Sequence, residues 1–231
     1  MNLKLGIVGW PLTKTYSPLI HKLLGEFLGI NLEYQKVPIE NLDRQKIQYI
    51  NSKFDGYNIT VPHKLNCIKY VDTAATAVKR FMSANTLITK EGGIFAESTD
   101  GPGFLKDLCV KEIDINKKNI LILGAGGAAK SIISSICLGK KPDSIFISNR
   151  TQSKVNELIK VLGTDEYITP IDFSEYEMHK DQVRAMDIVI NATSKGIDGK
   201  FSWEDDIPVH EETIFYDLSY SKGQTSFLEW A

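Results

Sequence analysis

Residues 119–154, NILILGAGGAAKSIISSICLGKKPDSIFISNRTQSK, constrain the fold more tightly than any other stretch of the chain. An apolar run, Ile120 to Leu123, ends in Gly124-Ala125-Gly126-Gly127-Ala128-Ala129 and passes into the helical pattern Ile132, Ile133, Ile136, Leu138. That order predicts a strand, a tight glycine turn and a helix whose N-terminal amides and positive dipole end suit a pyrophosphate. A second apolar run, Ser144 to Ser148, ends where a protein that binds NAD carries an Asp or Glu for the ribose 2′-hydroxyl. Here the residues are Asn149, Arg150 and Thr151, with Lys154 one turn into the next helix. A carboxylate would repel a 2′-phosphate, whereas a guanidinium, a hydroxyl and an ammonium hold one. The cofactor implied is NADP(H), not NAD.

The 231 residues suffice for one large or two small domains, and 42% hydrophobic with 24% charged residues is a globular composition. A formal net charge of −2 gives no reason to expect nucleic acid or a membrane surface as partner. Cys67, Cys109 and Cys137 lie in apolar helical stretches and read as reduced core residues of a cytoplasmic protein. No C-x-x-C occurs and the four histidines are scattered, so no metal site is expected. MNLKLGIVGWPL reads as a first strand, not a signal peptide, and no apolar run would span a bilayer.

The first hundred residues alternate. Strands are expected at 3–8, 32–37 and 56–61, helices at 18–28, 40–50, 62–71 and 74–81, and a hairpin of 86–89 with 94–96 turning at Glu91-Gly92-Gly93. A helix over 101–110 leads out of this unit, and a polar connection, 111–119, reaches the nucleotide unit. There, a helix at 155–162, strands at 187–191 and 213–217 and a long loop at 194–208 are expected. The reading is α/β throughout: an N-terminal domain, 1–103, with a mostly parallel sheet, and a Rossmann-type domain, 104–231, with the site expected in the cleft between them.

Three polar clusters fall at ends of expected strands: Thr15-Tyr16-Ser17-Pro18, Asn58-Ile59-Thr60-Val61-Pro62-His63-Lys64, and Asn85-Thr86 with Ser98-Thr99-Asp100-Gly101. Their hydroxyls, amides, lysine and aspartate suit a small polyhydroxylated ligand bound by directional hydrogen bonds. Reduction of a ketone creates an alkoxide that needs a proton donor, which Lys64 supplies if Asp100 holds it. Taken singly, Lys64 is also a solvated helix lysine and Asp100 a helix cap before Gly101. Their spacing alone does not bring them together.

The segments GWPLTKTYSPLIH, DGYNITVPHK, SANTL, STDG, GAGGAA, SNRT, INATSKG and YDLSYSKGQTSFL, in this order, closely resemble the shikimate dehydrogenase family across nearly the whole chain. The resemblance implies reversible, NADP-dependent reduction of 3-dehydroshikimate to shikimate by a monomer or homodimer, in aromatic amino-acid biosynthesis. It implies Lys64 and Asp100 as the catalytic pair. Thr15, Ser17, Asn58, Thr60 and Asn85 would hold the substrate, with Tyr220 nearby. The pyrophosphate turn would be Gly124, Ala125, Gly126, Gly127 and Ala128. The 2′-phosphate clamp would be Asn149, Arg150, Thr151 and Lys154, with Thr193 and Leu218 flanking the cofactor.

The chain departs from the family pattern at Thr15 in place of serine, Ser98 in place of asparagine and Lys154 in place of arginine. Family members also continue past the position of Trp230-Ala231 through helices that return to the first domain. Those helices bring a glutamine to the substrate and a glycine to the nicotinamide pocket. Two alternatives stay open at this stage: a quinate/shikimate dehydrogenase, and a non-catalytic protein that binds shikimate or NADPH.

Overall fold

The computed structural model describes residues 2–13, 15–162, 168–172, 176–193, 201, 209–220 and 223–231. The expected loop at 194–208 lies outside the described residues, Phe201 excepted. The chain divides into two compact units, 1–100 and 101–231.

In the first unit, β1 (Asn2–Gly9), α1 (Ser17–Leu28), β2 (Asn31–Pro38), α2 (Arg44–Asn51) and β3 (Gly56–Ile59) follow one another. A single 3₁₀ turn (Asn66–Tyr70), β4 (Thr73–Ala74), α3 (Thr76–Phe81), β5 (Thr86–Lys90) and β6 (Gly93–Glu97) complete it. The sheet order is β2-β1-β3-β5-β6-β4, parallel except where β5 pairs with β3 and β6. β2 and β3 lie on opposite sides of β1, so the strand order reverses there, and ligands in such sheets bind outside the strand ends at that reversal. Val8, Ile47, Ile50, Tyr57, Ile59 and Leu87 form the core, and the buried Tyr57 hydroxyl donates to Asn51 Oδ1 at 2.8 Å.

The second unit runs α4 (Asp100–Val110), β7 (Asn119–Leu123), α5 (Gly127–Gly139), β8 (Ser144–Ser148), α6 (Gln152–Leu162), β9 (Ile168–Pro170), α7 (Tyr176–Arg184), β10 (Ile188–Asn191), β11 (Ile214–Asp217) and α8 (Ser226–Trp230). Its sheet is parallel throughout, in the order β11-β10-β7-β8-β9. Ile120 to Leu123 are fully buried, as a central strand covered on both faces requires. The stripe Ala129, Ile132, Ile133, Ile136 seats α5 by helical periodicity. Phe227 and Trp230 of α8 stack on each other and pack against Phe201 and Phe215.

Several expectations need correction. The helix expected over 40–50 begins at Arg44, where Asp43 caps it by accepting the Lys46 amide, and the strand expected over 56–61 ends at Ile59. The helix expected over 62–71 is one 3₁₀ turn; Pro62 and the turn at His63 leave too little regular backbone for more. The helix expected over 74–81 begins at Thr76, because Thr73 and Ala74 pair with Phe95 and Ala96 as an edge strand. Of the three cysteines only Cys67 is buried; Cys109 is exposed and Cys137 intermediate. Burial pushes the Cys67 thiol up to about 12, which keeps it protonated and inert.

Candidate active site

In the first unit the expected substrate residues gather at one edge of the sheet. β1 and β3 run parallel and end there, and Gly9 closes the gap between them: a Cβ on it would stand 2.3 Å from Thr60 Cγ2 and 2.9 Å from the Val61 carbonyl. β5 runs the other way, so its N-terminal end reaches the same edge as the C-terminal end of β6. That reversal explains why Asn85, which precedes β5, meets Asp100, which follows β6.

Lys64 and Asp100, 36 positions apart, form an ion pair through Lys64 Nζ and Asp100 Oδ2. The lysine is held from behind. His63 is buried and its Nε2 lies 2.6 Å from the Ile39 carbonyl, an acceptor, so that nitrogen carries the hydrogen. The Ala84 amide donates to the Lys64 carbonyl at 2.9 Å, binding the lysine backbone to the segment that carries Asn85.

Asp100 is held on its other oxygen. Asn85 Nδ2 donates to Asp100 Oδ1 at 2.7 Å and to Thr99 Oγ1 at 2.8 Å, while Asn85 Oδ1 accepts the Thr99 amide at 2.9 Å. The Thr86 hydroxyl also donates to Asn85 Oδ1, at 3.1 Å. Asn58 Nδ2 approaches Thr86 Oγ1 at 3.3 Å and the Asn85 carbonyl at 3.4 Å. Thr15 Oγ1 donates to Ser17 Oγ at 3.1 Å and accepts the Ser17 amide at 3.2 Å at the head of α1. Thr60 stands directly after β3. The last expected substrate residue, Tyr220, belongs to the second unit and is exposed there.

Tyr34 carries no motif signal and is not among the expected residues. Its hydroxyl donates to Asn58 Oδ1 at 2.7 Å. The His21 ring stacks on it with centroids 4.0 Å apart.

In the second unit β8 and β9 lie to one side of β7 and β10 and β11 to the other, so the strand order reverses at β7. The Ala192 amide donates to the Leu123 carbonyl at 2.8 Å, joining the two strand exits. Gly124 takes φ +115°, a region L side chains rarely enter, and a Cβ there would stand 3.0 Å from the Ala192 carbonyl. Gly126 caps α5 with no side-chain cap, and a Cβ on it would meet nothing within 4 Å. Open space before the positive end of a 13-residue helix suits a pyrophosphate. Ala125 is buried beneath this turn and Ala128 lies in the first turn of α5.

At the end of β8, Asn149 Nδ2 donates to the Thr151 carbonyl at 3.0 Å, closing the turn into α6 and leaving Arg150, Thr151 and Lys154 exposed. No carboxylate stands at this strand end, so the donor set matches a phosphate ester and not a free ribose hydroxyl. Thr193 Oγ1 donates to Asn191 Oδ1 at 2.7 Å, and the Leu218 amide donates to the Asn191 carbonyl at 3.1 Å. Asn191, fully buried, donates to Asp217 Oδ1, and Asp217 Oδ2 accepts from Thr225, the cap of α8. The INAT and YDLSY segments thus knit β10, β11 and α8 together, and INAT also abuts the glycine turn.

Residues 7–87 match the family model for the shikimate dehydrogenase substrate binding domain, and residues 107–198 match that for shikimate / quinate 5-dehydrogenase. The shikimate dehydrogenase (NADP(+)) of Vesicomyosocius okutanii is 35% identical over 232 residues, covering 99% of this chain and 84% of that one. The chain belongs to the shikimate dehydrogenase family. The shikimate dehydrogenase (NADP(+)) of Hydrogenovibrio crunogenus is 34% identical, over 97% of this chain and 81% of that relative. Among solved structures, the shikimate 5-dehydrogenase of Listeria monocytogenes in complex with shikimate and NAD superposes with a TM-score of 0.86 at 25% identity. It covers 99% of this chain and 82% of that one. The two-unit α/β architecture is therefore that of the shikimate dehydrogenases. No helix among the described residues is long and apolar enough to cross a membrane.

Proposed function

We infer that the chain catalyses the NADP-dependent, reversible reduction of 3-dehydroshikimate to shikimate, with Lys64 and Asp100 as the catalytic pair. The observation that carries this reading is the Lys64–Asp100 ion pair, held behind by His63 and Asn85 at the edge where the polar residues gather. Family membership and relatives named as NADP(+) enzymes support it.

NADP(H), when bound, supplies or takes up the hydride. Gly124, Ala125, Gly126, Gly127 and Ala128 would hold its pyrophosphate at the head of α5, with Thr193 and Leu218 flanking it. Asn149, Arg150, Thr151 and Lys154 would hold the 2′-phosphate. On the substrate side, a carbonyl gaining electron density becomes an alkoxide, and the Lys64 ammonium donates the proton that neutralises it. Asp100 aims that lysine and accepts a hydrogen bond from a substrate hydroxyl. Thr15 and Ser17 offer hydroxyls to the substrate carboxylate, and Asn58 and Thr60 an amide and a hydroxyl to its ring oxygens; Asn85, its amide already spent on Asp100, Thr99 and Thr86, shapes the site by holding Asp100. A substrate with several oxygens in fixed positions suits such a set of directional donors better than an apolar carbonyl would.

The test is NADPH formation, followed by absorbance, with shikimate and NADP⁺, beside cuvettes holding quinate or NAD⁺. Turnover with shikimate and NADP⁺ well above the other pairs is expected. Quinate oxidised as fast as shikimate would overturn the substrate, and NAD⁺ used as well as NADP⁺ the cofactor.

A further inference from the structure

Polar residues of the first unit from Tyr34 to Asp100 form one continuous chain, and the Asp100 carboxylate sets its direction. A carboxylate only accepts, so Asn85 must turn its Nδ2 toward Asp100 Oδ1, at 2.7 Å. Asn85 Oδ1 is then an acceptor, so the Thr86 hydroxyl spends its hydrogen there and its oxygen faces Asn58 Nδ2. With Asn58 Nδ2 so placed, Asn58 Oδ1 points back across the sheet and takes the Tyr34 hydroxyl hydrogen at 2.7 Å. Each link donates toward Asp100.

Tyr34 is the span that no shorter side chain could make. It pairs with Leu5, and Asn58 pairs with Ile7, so the two sit on the same face but on strands either side of β1, about 10 Å apart. Stacking of His21 fixes the tyrosine ring, and His21 Nδ1, donating to the Ser17 carbonyl at 2.9 Å, holds the histidine in place on α1. Burial pushes the Tyr34 hydroxyl up to about 12, which keeps it a donor at any working pH.

We propose that Tyr34 is a positioning residue for substrate binding, which locks the amide orientation of Asn58 by anchoring the relay that ends on Asp100. The inference rests on the proposed reaction, because the orientation of Asn58 matters only if it holds the substrate. Tyr34 touches no reacting atom, so its loss weakens ground state and transition state alike.

The decisive variant is Tyr34→Phe, which keeps the ring on His21 and removes only the hydroxyl. The expected result is a KM for shikimate raised roughly tenfold, the worth of one partly buried hydrogen bond, with kcat and the KM for NADP⁺ within about twofold. Thr86→Val breaks the same relay on the far side of Asn58. In the double variant the second break should add less than about twofold to the first, since both free the same amide. A shikimate KM unchanged in Tyr34→Phe, or losses that multiply in the double variant, would overturn the proposal while the reaction stood. Equal changes in the KM for shikimate and for NADP⁺ would mark a general structural role and overturn it too. Failure of the unsubstituted chain to bind or oxidise shikimate would instead sink the reaction, and this inference with it.

Discussion

Asn85 shows how much one side chain decides at this site. Its amide carries four hydrogen bonds, two given and two accepted, and so fixes the oxygen of Asp100 that Lys64 does not use. Lys64 can then be judged on its chemistry alone. Lys64→Ala should lower kcat by about 10²- to 10⁴-fold, the usual worth of a positioned proton donor, while the dissociation constant for shikimate changes far less. Calorimetric binding beside steady-state rates checks both halves; near-normal turnover would remove the lysine from the chemistry. The pair is legible in the sequence as two residues of the right type, each in a polar cluster beside an expected strand. That they meet is not, because it depends on β5 running against β6. Tyr34 is not legible at all. It is one of nine tyrosines, and only the pairing of β2 and β3 on either side of β1 sets it against Asn58.

At the scale of elements, the amphipathic helices and buried strands follow from periodicity, because burial and period are two views of one constraint. The short pieces do not. β9, three residues long, α7 and α8 carry too few periods to be told from loop, and α8 is secured by Phe227 and Trp230 in the aromatic cluster rather than by propensity. Charge also ties elements where pattern is silent. Asp187, just before β10, accepts from Lys118 Nζ and from the Asn119 amide at the start of β7, both at 2.8 Å. Burial works to raise the Asp187 carboxyl, but the Lys118 and Asn119 hydrogen bonds outweigh it and hold the group below its ordinary value. A depressed carboxyl stabilises the fold above the unfolded-chain value near pH 4 and loses that contribution as pH falls through the lower folded value. Asp187→Asn should therefore cost about 1 kcal/mol at pH 7, small because Lys118 is half exposed. Thermal melts of the two proteins should differ by ~2–5 °C at neutral pH and converge as the pH falls below the unfolded-chain value. A gap that persists in acid would mean that packing, not ionisation, is responsible.

Across the whole molecule the two units obey one rule with different chemistry. Each sheet reverses its strand order at a strand that ends in glycine, Gly9, or runs straight into one, Gly124, and in each a Cβ would crowd the neighbouring strand's exit. The groups beyond the glycine differ: hydroxyls and amides in the first unit, a bare helix end and an exposed basic turn in the second. The net charge of −2 offers no general attraction for a polyanion, so discrimination between NADP⁺ and NAD⁺ has to be local. Arg150 is the one planar, permanently charged group in that turn, and a guanidinium on a phosphate is worth ~1.5–3 kcal/mol. Arg150→Ala should raise the KM for NADP⁺ by roughly 10- to 100-fold and leave the KM for NAD⁺ within about twofold, since NAD⁺ has no 2′-phosphate to lose. Salt gives an independent check. Ionic strength screens an exposed ion pair, so the KM for NADP⁺ of the unsubstituted chain should climb with added salt more steeply than that for NAD⁺. The two slopes should become alike in the variant, with the KM for shikimate unmoved. If both cofactors weaken together in Arg150→Ala, the arginine supports the fold of the turn and the preference for NADP⁺ has another source.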